Sequence, residues 1–184
     1  TPILKKTCQK HNVDYFTAPY DTSILNYLNK YMSAWKIGSG DIDWHEQILK
    51  IAKFKKPLII ATGASFLKEI VEIYNKVIKI NKKIVIMQCN TNYTADKKNF
   101  NYINLNVLKT FKKKFPQAIL GLSDHTLGHE TVLGAITLGA RVIEKHFTDN
   151  NNRTGPDHKF SMSPKTWRQM IDASRNIELS LGSS

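Results

Sequence analysis

Apolar residues along the chain fall into two alternating patterns. Short, nearly continuous runs recur at 13–19, 34–40, 57–63, 84–90, 118–123 and 142–148. Between them lie stretches with a helical period. In one, Phe66, Ile70, Ile73 and Val77 repeat at i, i+4, i+7 and i+11 along a single face. Start signals agree with the helices: Asp43 followed by Glu46 predicts a capping box, and Ser163 before Pro164 predicts an N-cap with proline at the first helical position. The helix that begins at Pro164 is expected to run to Leu181 and to be the last.

Runs such as PLIIA and IVIMQ are apolar throughout rather than alternating. That implies burial on both faces, as in a parallel sheet covered by helices. The fold class is therefore α/β. Nearly every run ends in a small or polar cluster: TAP, GSGD, ATGAS, CNTNY, LSDHT and EKHFTD. A closed barrel gathers all its strand ends at one active face, whereas an open sheet has a crevice at a switch point. The distribution predicts a TIM (β/α)8-type barrel, present here as about six βα units with two N-terminal units missing. The segment Gly38–Ser39–Gly40 lacks the third glycine and the acidic partner of a dinucleotide fingerprint.

Length and composition narrow this picture. With 184 residues and 41% hydrophobic content, one domain with a sizeable core is expected. No apolar run approaches the roughly 20 residues of a bilayer helix. The chain opens on Thr1 without a secretory leader pattern, so a piece of a longer protein is expected. Two cysteines, Cys8 and Cys89, are too few for a disulfide framework and suggest a reducing, cytoplasmic setting, with Cys89 a buried apolar residue. The net charge of +12 raises nucleic-acid binding, but Lys68, Lys76, Lys79, Lys112, Lys113 and Lys114 lie in helical segments, where they form a solvated face. Small anions are the expected partners; neither nucleic acid nor membrane is.

Candidate chemistry sits at the strand ends. His125 in LSDHT and His146 in IEKHF follow consecutive runs, flanked by Asp124, Thr126 and Glu144. Two imidazoles there suit a divalent metal, although each is also what a hydrogen-bonded structural histidine looks like. Lys36 and Ser39 offer a cation and a hydroxyl beside glycines that let a phosphate approach the backbone. Thr62, Asn90, Thr91 and Ser123 add hydroxyl and amide groups at other strand ends, forming either an anion pocket or ordinary polar loops. Asp157, in a Gly-Pro loop, is either a substrate-facing carboxylate or turn chemistry. Tyr93 and Phe147 are sugar-contacting rings or packing residues, with packing favoured for Phe147.

The motifs WKIGSGD, PLIIATG, QCNTNY, GLSDHT, VIEKHFT and GPDHKFSM, in this order and spacing, resemble the sialic acid synthase family over essentially the whole chain. The resemblance implies a (β/α)8 barrel followed by a small antifreeze-like domain, absent here, in a homodimer. It implies condensation of phosphoenolpyruvate with an N-acetylated amino sugar such as N-acetylmannosamine. By that resemblance, carbon 3 of phosphoenolpyruvate would attack the sugar aldehyde, which a bound metal would polarise, water would add at carbon 2, and phosphate would leave by C–O cleavage. His125 and His146 would hold the metal, manganese before magnesium or cobalt. Lys36, Ser39 and Ser123 would hold phosphoenolpyruvate, Tyr93 and Asp157 the sugar, and Asp157 would orient it or help move a proton. Ala61 and Ala18 depart from hydroxyl residues common in relatives, beside Thr62 and Thr17, and the order of Asn90 and Thr91 is exchanged. A legionaminic or pseudaminic acid synthase and a non-catalytic fragment are the competing readings, and the piece alone is expected to be inactive.

Overall fold

The computed structural model describes residues 1–182. These form two compact units, one ending at Ile86 and the other starting at Met87.

The first unit holds α1 (Pro2–Lys10), α2 (Leu25–Asn29), β1 (Trp35–Ile37), α3 (His45–Ala52), β2 (Leu58–Ala61), α4 (Leu67–Ile78) and the start of β3 (Ile84–Cys89). β1 and β2 are parallel, with Lys36 opposite Ile59, and every residue of both is buried. That is the pattern expected of strands covered on two faces. Trp35 is fully enclosed and stacks on Phe54 at 5.6 Å between ring centroids.

The helical stripe of α4 is displaced from the one expected. Ile70, Ile73, Tyr74 and Val77 are its buried residues, whereas Phe66 is 73% exposed. Phe66 occupies the N-cap in extended conformation, so its ring leaves the helix face, and its N–H donates to the Glu69 carboxylate at 2.6 Å. The box expected at Asp43 and Glu46 does not form either. α3 starts after Trp44, which puts Asp43 too far ahead to cap it, and Glu46 instead takes Lys50 one turn on, at 2.6 Å. The first apolar run is not a strand: it makes a single parallel bridge, Thr17 to Trp35, while Val13 and Phe16 stay largely exposed. Pro19, which has no N–H to give, closes the run. Five of the six runs are therefore strands.

The second unit holds the end of β3, a 3-10 helix (Lys97–Tyr102), α5 (Val107–Lys114), β4 (Ile119–Asp124), α6 (Glu130–Thr137), β5 (Val142–Lys145) and α7 (Pro164–Leu181). Strand order follows chain order, β1-β2-β3-β4-β5, and β4 runs parallel to β5. The core of this unit is Met87, Leu108, Phe111, Phe115, Leu122, Val132, Ala135 and Met170. α7 begins as expected: Ser163 Oγ accepts from Thr166 N–H, and Pro164 stands in the first turn. Cys89 is buried, neither Cys8 nor Cys89 is in a disulfide among the described residues, and the six lysines named above are exposed. No helix among the described residues is long and apolar enough to cross a membrane.

Gly121 sits in β4 where backbone and side chain crowd it. A Cβ there would lie 2.7 Å from the Val142 carbonyl oxygen and 2.9 Å from Met87 Cγ, whereas one on Gly40 would meet nothing within 4 Å. Gly121→Ala should therefore destabilise the protein by about 1–3 kcal/mol, as overpacking does, and Gly40→Ala by less than about 0.5 kcal/mol. Denaturant unfolding of the two variants checks this, and equal midpoints would refute it.

Candidate active site

Side chains alternate across a strand, so β4 and β5 each present two faces at their carboxyl ends. Ser123 lies opposite Glu144 and Asp124 opposite Lys145. His125 and His146 each follow one residue beyond the strand, on the side of Ser123 and Glu144.

Four rings gather on that side. The His125 and His146 centroids are 5.1 Å apart, Tyr93 lies 4.1 Å from His125, and Phe160 stands 5.9 Å from His125 and 5.1 Å from His146. His125 is buried, and loss of hydration pushes its pKa below the ordinary imidazole value, which favours the neutral ring. Its Nδ1 lies 2.8 Å from the Asn90 carbonyl oxygen. A carbonyl only accepts, so Nδ1 carries the proton and Nε2 keeps its lone pair. Asp157 places Oδ2 3.4 Å from His146 Nδ1. Two imidazole nitrogens are what this site offers a metal. Among the described residues no group of three or more His, Cys, Asp or Glu is placed to hold one.

The expected substrate residues fare differently. Asn90 donates its amide N–H to Asn99 Oδ1 at 2.8 Å, whereas the buried Thr91 hydroxyl has no hydrogen-bond partner among the described residues. Ser123 donates its only proton to Glu144 Oε1 at 2.8 Å, so toward a ligand its oxygen can only accept. Phe147 is 57% exposed and meets Trp167 edge-on at 5.7 Å. In the first unit Lys36, Ser39 and Thr62 are all buried. The space that glycine leaves at Gly38 is used by the Asp41 carboxylate and the Tyr20 hydroxyl, not left open to a ligand.

On the other face is a feature that the sequence reading missed. Lys145 Nζ donates to Asp124 Oδ2 at 2.8 Å, to the Thr126 carbonyl at 2.7 Å and to the Gly128 carbonyl at 2.8 Å, using all three of its protons. Asp124 also accepts from the Thr126 N–H and from the Thr126 and Thr131 hydroxyls. The two side chains are 1% and 0% exposed. Glu144 and Phe160 were likewise not among the expected site residues. The signal for the ion pair was present, an acid before one histidine and a lysine before the other on neighbouring strands. Phe160 had none.

Comparison with known proteins follows the same lines. The NeuB family is matched over residues 1–184. The N,N'-diacetyllegionaminic acid synthase of Campylobacter jejuni is 37% identical over 178 residues, 95% of this chain and 52% of that protein. The chain thus spans about half the length of the curated relatives it matches. The crystal structure of an N-acetylneuraminic acid synthetase from Leptospira borgpetersenii superposes with a TM-score of 0.91 at 29% identity, over 99% of this chain and 63% of that one. A DAHP synthase from Thermotoga maritima shares the fold alone, with a TM-score of 0.84 at 16% identity, over 100% and 56% of the two chains.

Removing one partner of the buried pair strands the other charge. Lys145→Met should cost about 3–5 kcal/mol, and the double change Asp124→Leu with Lys145→Met clearly less. Equilibrium unfolding measures both. A double variant no more stable than the single one would contradict this account.

Proposed function

This chain belongs to the NeuB family, and from that premise we propose that the protein containing it condenses phosphoenolpyruvate with an acetamido sugar and releases phosphate. The product is a sialic-acid-type nine-carbon sugar. The observation that carries the reading is the placement of His125, His146, Tyr93 and Asp157 together at the ends of two neighbouring parallel strands.

His125 and His146 are proposed as the protein's ligands for a divalent metal, manganese before magnesium or cobalt. When bound, such an ion supplies Lewis-acid polarisation of the sugar aldehyde. The chain's own residues do the rest. The Asn90 carbonyl holds the Nδ1 proton of His125 and leaves Nε2 bare. Phe160 keeps water from one side of both imidazoles. Tyr93 gives the sugar a ring to rest on. Asp157, half-exposed beside His146, is placed to accept from a sugar hydroxyl or to move a proton. In the first unit, Lys36, Ser39 and Thr62 supply the cation and hydroxyls that a phosphate or carboxylate requires. We propose that βα units outside this stretch complete an eightfold barrel, and that the full protein works as a homodimer.

The test uses the full-length protein with phosphoenolpyruvate, manganese and a panel of acetamido sugars. Phosphate release and a sugar-acid product are expected with at least one acceptor, and the best acceptor separates sialic from legionaminic and pseudaminic acid synthesis. His125→Ala should lower turnover about a hundredfold or more, matching the loss of several kcal/mol of charge stabilisation. Full turnover in that variant would remove the metal assignment, and no product with any acceptor would remove the reaction.

A further inference from the structure

The Asn90 carbonyl that fixes the His125 tautomer lies in a loop, residues 90–96, without regular structure, and something must hold it in place. The holder is Asn99, in the 3-10 helix and 2% exposed. Its Nδ2 donates to the Asn92 carbonyl at 3.3 Å, and its Oδ1 accepts from Asn90 Nδ2 at 2.8 Å. The orientation of this amide is not interchangeable. Asn92 offers a carbonyl, which only accepts, so the NH2 group must face it and Oδ1 must face Asn90. Asn99 itself is anchored by its backbone N–H to the Asp96 carbonyl at 3.0 Å, and Asp96 caps the same helix.

We infer that Asn99 is a positioning residue that grips the loop at both Asn90 and Asn92, so that the Asn90 carbonyl holds His125 in its Nδ1–H tautomer with Nε2 free to bind a metal. The inference rests on the metal-holding role proposed for His125. The partner on the non-ligating nitrogen of a metal-binding histidine sets its tautomer and ring orientation, and losing such a partner weakens metal binding by roughly 10–100-fold. Asn99 stands one step further out and acts by fixing where that partner is.

Two readouts on the full-length protein test this. The first is the nitrogen-15 NMR spectrum of the metal-free protein: His125 should show the Nδ1–H tautomer, and Asn99→Ala should lose it or show a mixture. The second is manganese affinity by electron paramagnetic resonance, which should fall about tenfold in Asn99→Ala, with the thermal midpoint little changed. Asn99→Asp keeps the size and the acceptor toward Asn90 but sets a carboxylate against the Asn92 carbonyl. It should show the same two losses, and it stands in if the alanine variant does not fold. A wild-type tautomer and affinity in either folded variant would overturn the inference. If the wild-type protein binds no manganese, the metal reading fails on its own, and the tautomer measurement still decides the role of Asn99.

Discussion

The ion pair between Asp124 and Lys145 is the constraint on which the candidate site depends. Two opposite charges wholly out of water are tolerable only when every donor and acceptor is matched, and here the ammonium spends all three protons on Asp124 and on the backbone of residues 126 and 128. Such a pair is a poor source of net stability but a strict judge of geometry. Because Asp124 and Lys145 face each other in register, the residues that follow them, His125 and His146, come out level. A slip of one residue would break the pair and turn the histidine of the slipped strand to the other side of the sheet. Thr131 belongs to α6, so its hydroxyl on Asp124 ties the start of that helix to the same point.

Much of the fold was legible because it rests on bulk patterning. Continuous apolar runs marked five strands, and Ser163–Pro164 marked the start of the last helix. What failed were the judgements that turn on a residue or two. Asp43 and Glu46 have the spacing of a capping box, but the helix begins later, at His45, and the sequence pattern carries no measure of that offset. Phe66 has the hydrophobic period of α4, yet it lies in the cap, where period no longer sets direction. The histidine pair was legible because it stands at the ends of two buried runs. The aspartate and lysine beside it were visible as neighbours of the histidines, but that the two are buried and paired follows only from the three-dimensional register. Asn99 lies in KKNFNY, which looks like plain surface sequence.

The two units also differ in what they can offer a ligand. The first supplies buried hydroxyls and a lysine, and the second supplies rings, imidazoles and a carboxylate. The excess positive charge, by contrast, lies largely on exposed helix positions. There it acts through the long-range field, which reaches about 8–10 Å at physiological salt, and raises the local concentration of anions without choosing among them.

The segment after β5 leaves the strand and returns to it. Met162 N–H donates to the His146 carbonyl and Thr148 N–H to the Met162 carbonyl, at 2.8 and 2.9 Å, closing the neck of a loop that runs from 149 to 161. Inside it, Asn151 holds the carbonyls of His158 and Ser161. A loop sealed at its base is insulated from the element that bears it. Exposed positions such as Arg153, Thr154 and Pro156 can change, or the segment can lengthen at little entropic cost, while His146 stays where the strand puts it. In evolutionary terms this separates two rates of change. His146 can remain fixed by its strand while the exposed tip at residues 153–156 drifts.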